Sequence, residues 1–164
     1  MKVRWIVLIA VLVAGCALAT TGRARAAMNC SVTSATMLFG SYDVYAGALA
    51  GTGSIALTCS GGGSPTPLAT LDAGHGTIAD RYMACVSGSC VTGFSSDQLH
   101  YNLYTDAGHT TVWGATGVPS TPTGCKNVTC TWTVYGLIPG AVAGGTNDVA
   151  VGGYTDSIVV TVDY

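Results

Sequence analysis

Glutamate is absent from the 164-residue sequence, so all eight acidic side chains are aspartates. Basic side chains number six, and four of them, Lys2, Arg4, Arg23 and Arg25, lie in the first 26 residues. Residues 27–164 therefore carry two cations, Arg81 and Lys126, against eight aspartates, a formal charge of −6. Two cations do not build the positive surface that neutralises phosphates, which argues against nucleic acid as a partner and equally against an anionic membrane surface. The same scarcity of Glu, Lys and Arg leaves little to make the solvated face of an amphipathic helix. Catalytic signatures are missing as well: no G-x-S-x-G elbow, no H-E-x-x-H and no Walker A loop is present. The glycine-rich stretches GTGS and GGGS open no helix and read as turns rather than phosphate cradles. An enzyme is thus not expected, and neither is a cofactor, a metal or a small-molecule substrate.

What the sequence does contain begins with an export signal. Lys2 and Arg4 precede the uncharged apolar run from Trp5 to Ala19, and Ala24-Arg25-Ala26 supplies a small-x-small cleavage site. Residues 1–26 read as a secretory signal peptide, too short and wrongly flanked for a membrane anchor. Cleavage is expected after Ala26; a site after Ala19, or a lipoprotein cleaved at Cys16, are the alternatives. Of the seven cysteines, six remain after residue 26: Cys30, Cys59, Cys85, Cys90, Cys125 and Cys130. An even set in an exported chain reads as a disulfide framework in an oxidising compartment. Zinc would need the thiols reduced, and the two C-x4-C pairs favour local bridges instead.

Residues 27–164 suit one domain. Gly, Thr, Ser, Val and Tyr dominate it, broken by Gly/Pro/Ser clusters, as in an antiparallel sandwich or barrel. The first strand is expected over 31–39. GSYDVYAGALAGTG follows as an irregular connection, and a strand over 54–60 places Ile55, Leu57 and Cys59 on one face. LATLDAG is a short strand. LHYNLYTD sets Leu99, Tyr101 and Leu103 against His100, Asn102 and Tyr104. CTWTVYGLIPG sets Trp132 and Val134 against Thr131, Thr133 and Tyr135. The closing YTDSIVVTVDY reads as one strand with Ile158, Val160, Val162 and Tyr164 on one face. Cys30 before the first strand and Cys59 at the end of the second would pin these two together, a closure worth about 3–4 kcal/mol in the chain-entropy account. Cys85–Cys90 and Cys125–Cys130 would each staple a turn, at about 2 kcal/mol. The exact connectivity of these last four stays open at this level.

Asp72, His75 and Asp80 lie close in sequence, as do His100, Asp106 and His109, but their spacing matches no metal pattern. They read as solvated loop positions. Asn127-Val128-Thr129 matches a glycosylation sequon.

Six blocks then occur in one order: CSVTSATMLFGSYD, IALTC, DRYM, LHYNLYTDAGHTTVWG, TVYGLIPG and GGYTDSIVVTVDY. Together they resemble the spore coat protein U domain family, which includes secreted, Csu-type pilins of the archaic chaperone–usher pathway. The resemblance covers residues 27–164. It implies an all-β, immunoglobulin-like antiparallel sandwich that lacks its last strand and leaves an open acceptor groove. A periplasmic pilus chaperone would fill that groove first, an outer-membrane usher would receive the subunit, and a sister pilin would donate the permanent strand. Ile158, Val160, Val162 and Tyr164 would form one wall, and Leu38 and Phe39 the other. The resemblance also implies a cell-surface, adhesive role in biofilm formation.

With cleavage after Ala26, only Ala27, Met28 and Asn29 precede Cys30, a span of at most about 10 Å. A subunit that accepts a strand without giving one belongs at the pilus tip. Trp113, Val118 and Pro119, in an uncharged stretch, are then the expected surface contacts. The competing readings are a self-contained coat protein that completes its own sheet and, less favoured, a secreted enzyme.

Overall fold

A computed structural model describes residues 27–90, 97–119 and 124–164. Among the described residues there is no α-helix, and ten strands follow one another: β1 (Asn29–Leu38), β2 (Leu49–Ser60), β3 (Leu68–Leu71), β4 (Gly76–Thr77), β5 (Asp80–Gly88), β6 (Gln98–Tyr104), β7 (Val118–Pro119), β8 (Thr129–Ile138), β9 (Gly152–Thr155) and β10 (Val160–Asp163). The larger sheet runs β1-β2-β8-β6-β5-β4, with β9 also paired to β5, and the smaller one runs β10-β3-β7. All the strand pairs are antiparallel.

The period-2 patterns set which side chains the two sheets share. Ile55, Leu57 and Cys59 of β2, Trp132, Val134 and Ile138 of β8, and Leu99, Tyr101 and Leu103 of β6 point inward and meet Ala69 and Leu71 of β3 in one buried cluster. The result is the expected immunoglobulin-like sandwich, curled around a single core. Its most buried polar group is Arg81. The guanidinium donates to the carbonyls of Asp72 (2.7 Å), Trp113 (2.9 Å) and Ile78 (3.3 Å) and to the Asn102 side chain, stitching β5 and β6 to the β3 side of the core.

Three expectations need correction. β2 starts at Leu49, opposite Ile138 of β8, so the last five of the fourteen residues of the Gly-rich connection are ladder. The closing segment is two strands, not one: β9 pairs with β5 in the larger sheet and β10 with β3 in the smaller. The break falls at 156–159, where Asp156 and Ser157 turn the chain from one sheet to the other. Trp113 lies in the core, 1% exposed, with its indole N–H donating to the Ala69 carbonyl at 3.0 Å. A tryptophan that buries its ring and satisfies its one donor internally is no surface contact.

The six cysteines form Cys30–Cys59, Cys85–Cys90 and Cys125–Cys130. The first joins β1 to β2 at directly opposed positions, and the third closes the turn in which Asn127 takes a left-handed φ of 57°.

Candidate functional site

Among the described residues five strands have one paired neighbour each: β4 and β9 (β5), β7 (β3), and the two that matter here. β1 pairs with β2 alone and β10 with β3 alone. Residues of both, the end of β1 and Val160 of β10, line a groove of about 1020 Å³. Residues 35–45 line one side of it, and residues 149–156 with Ile158 and Val160 line the other. The floor is the core itself: Leu71, Leu99, Tyr101, Leu103, Val134 and Ile138. An edge strand presents a row of unpaired N–H and C=O groups, and here two such rows flank exposed apolar surface. The geometry matches a missing strand.

The β1 wall depends on a bulge. Cys30 and Val32 lie opposite Cys59 and Leu57, but the register shifts between Val32 and Ser34, so that Ala35 and Met37 lie opposite Ile55 and Gly53. The extra residue exchanges the two faces of the strand. Met37 and Phe39 therefore turn inward and pack on the core, whereas Leu38 points outward, 82% exposed, on the groove rim. Both residues expected on this wall line the groove, Phe39 packed on the core and Leu38 out on the rim. Met37 is the partner that alternation without a bulge would miss.

On the opposite wall Val160 and Val162 lie across from the buried Leu71 and Ala69 and pack on the core with Ile158. Ile158 and Val160 line the groove. Tyr164 does not join them. The strand ends at Asp163, and the Tyr164 ring is 58% exposed.

A polar buckle holds this wall in place. The Asp156 carboxylate, itself almost wholly buried, accepts from the Tyr101 hydroxyl (2.7 Å), the His75 backbone N–H (3.1 Å) and the Ser157 N–H (2.7 Å), and meets the His75 ring at 2.6 Å. Asp72 accepts from the Val159 and Gly74 N–H groups. Burial, then the hydrogen bond to Asp156, pushes the Tyr101 phenol well above its usual range, so it remains a neutral donor. Asp72, Tyr101 and Asp156 were not readable as a unit. The turn-forming pair Asp156-Ser157 inside an alternating run was the one local signal of a break.

The remaining candidates disperse. His75 pairs with Asp156 and His100 with Asp80, while Asp106 caps its own loop by accepting from the Thr110 and Thr111 N–H groups. Those backbone donors hold the Asp106 carboxyl below its ordinary value. No group of three or more metal-ligating side chains occurs among the described residues. Val118 sits in β7 opposite Ala69, partly covered, and Pro119 opposite Leu68; the following 120–122 lie outside the described residues.

The class of domain shown is an immunoglobulin-like sandwich with an apolar groove beside the edge strand β1. Comparison with known families places it further. The model of the Spore Coat Protein U domain matches residues 12–161, and the chain belongs to that family. Among solved structures it is similar to a chain of the CsuC-CsuE chaperone–tip adhesion subunit pre-assembly complex from the archaic chaperone-usher Csu pili of Acinetobacter baumannii, with 16% identity and a TM-score of 0.53. The match covers 84% of this chain and 40% of the other, so this chain spans well under half the length of its structural relative. No curated protein matches the sequence.

Proposed function

We propose that this protein is a subunit of a chaperone–usher pilus that receives a donated strand between β1 and β10. The observation that carries the reading is the groove itself, an apolar channel bounded by two unpaired strand edges. A periplasmic chaperone lends the missing strand during export, the outer-membrane usher passes the subunit outward, and a sister subunit then supplies the strand for good. The family and the fold shared with a chaperone–subunit complex support the chaperone and sister-subunit steps of this reading. In this reading residues 1–26 are removed on export, the domain is residues 27–164, and the product stands on the cell surface in attachment and biofilm formation. The role is structural and adhesive, not enzymatic.

Position at the pilus tip is the finer part of the reading. β1 is paired with β2 from Asn29 onward, and Ala27 and Met28 lie against Gly61 and Gly63. With cleavage after Ala26 none of these residues is free to be donated. N-terminal sequencing of the exported protein checks the cleavage site. Immunogold labelling checks the position, and label along the whole shaft would overturn it.

The test of the groove is co-purification from the periplasm with a coexpressed chaperone of the archaic chaperone–usher pathway. The wild-type chain should emerge as a soluble pair. Val160→Asp, which sets an unpaired charge in the groove wall, should abolish the pair. A stable monomer produced equally well without any partner would instead favour a coat protein that needs no donor.

A further inference from the structure

The groove floor is not uniform, and the difference has a sequence cause. Gly51 of β2 and Gly136 of β8 are register partners, and Leu103 of β6 lies beside Gly136 on the other side. Both glycines fall on the core-facing side of their strands, in phase with Gly53 and Ile55 and with Val134 and Ile138. Two adjacent positions without side chains leave a trough across the sheet. Met37 and Phe39 fill it. A Cβ on Gly136 would sit 2.6 Å from two carbons of the Phe39 ring and collide with the Met37 methyl; one on Gly51 would lie 3.0 Å from that methyl and 3.1 Å from the Phe39 ring. The ring reaches on to Tyr101 of β6, which it meets edge-on at 5.6 Å between centroids. Phe39 thus lies across the larger sheet as a ledge, half-buried, with its free side toward the groove.

We infer that Phe39, seated over the Gly51–Gly136 trough, is a size gate for the incoming strand: the segment must carry Gly or Ala where it passes Phe39 and larger apolar residues at its other inward positions. The inference rests on the strand-acceptor reading and sharpens it to a class of donor sequence. Elsewhere the floor is lined by the buried Leu71, Leu99 and Val134, whereas over the two glycines the lining is the Phe39 ring itself. Charge limits the occupant too. Two aspartates and no cation line the groove; Asp156 is satisfied internally, while Asp43 is exposed on the rim with one oxygen accepting from the Tyr45 N–H. The fitting partner is an extended segment with alternating apolar residues whose outward positions are neutral or basic.

The experiment uses the full exported chain and a set of synthetic peptides of alternating valine and threonine with lysine at the ends. Each peptide replaces one valine by Gly, Ala or Phe, and the replacement is walked along the strand. For the wild-type protein one position should prefer Gly or Ala over Phe by about tenfold or more, the size of an overpacking penalty, with Phe tolerated elsewhere. In Phe39→Ala the preference at that one position should reverse, and in the milder Phe39→Leu it should weaken. Gly136→Ala, which pushes the ring outward, should sharpen it. Binding with no small-residue position, or a Phe39→Ala effect spread evenly over all positions, would overturn the size gate and leave the acceptor reading standing. Failure of every peptide to bind the wild-type protein would overturn the acceptor reading itself, and the gate with it.

Discussion

Tyr101 and Arg81 show how single polar residues set the shape of an apolar groove. Tyr101 buries its ring in the core and sends its hydroxyl to Asp156, the hinge between β9 and β10. Its phenol titrates above its ordinary value in the folded state, chiefly because burial disfavours the anion. The unfolded chain then loses its proton first as pH rises past about 10, so folding is penalised on the alkaline side. Tyr101→Phe should cost about 1–3 kcal/mol at neutral pH, by removing one donor from a buried carboxylate, and should flatten the loss of stability above pH 10. Urea unfolding of the strand-filled domain at pH 7 and pH 10.5 measures both; an unchanged alkaline slope would show that another group governs it. Arg81 is the more severe case. It is wholly buried and, among the described residues, forms no ion pair: it donates to carbonyl oxygens, with the Asp72 and Asp156 carboxylates acting on its charge from a distance. Arg81→Met would leave those oxygens unpaired under the core. We expect a loss of about 3–5 kcal/mol, visible as a collapse in the yield of folded exported protein, and a near-normal yield would show that water replaces the guanidinium.

At the scale of the element, the two walls of the groove are held by different devices. β10 is held by the Asp72 and Asp156 hydrogen bonds, β1 by its ladder to β2 and by Cys30–Cys59. That disulfide closes a separation of 29 residues and Cys125–Cys130 one of 5, so loop-closure entropy predicts about 3–4 against about 2 kcal/mol. Replacing Cys30 and Cys59 by Ala should therefore lower the urea midpoint more than replacing Cys125 and Cys130, and should also loosen strand capture because one wall frays. Equal midpoints would count against the loop-length account. These walls also mark where the sequence was readable and where it was not. Alternation over 54–60 of β2 and in β6 and β8 was legible, because the inward positions Ile55, Leu57, Cys59, Leu99, Tyr101, Leu103, Trp132 and Val134 are all buried. The β1 bulge was not. Nothing in Val32-Thr33-Ser34 announces an extra residue, and without it Leu38 and not Met37 faces inward. The Trp113 placement failed for another reason: an uncharged Gly- and Thr-rich context looks like a contact loop, but a carbonyl on β3 stood ready for the indole N–H.

For the whole molecule, apolar exposure and net charge act against each other. Residues 27–164 carry a formal charge of −6, and with Arg81 buried the exposed cation among the described residues is Lys126. Like charge keeps copies apart, while the open groove and its two free edges draw them together. Salt decides between the two. At about 0.01 M the screening length is roughly 30 Å and repulsion spans the gap between molecules; at 1 M it falls to about 3 Å, and the groove contact is no longer opposed. The domain purified without a partner should accordingly aggregate faster as sodium chloride is raised, the reverse of what holds for an assembly glued by ion pairs. Filling the groove with a valine–threonine peptide should suppress aggregation at every salt concentration, because the apolar floor and both edges are then covered. Light scattering across a salt series, with and without peptide, measures the two effects together. Aggregation that ignores the peptide would place the sticky surface elsewhere on the molecule, and aggregation that slows with salt would mean that charge contacts drive it.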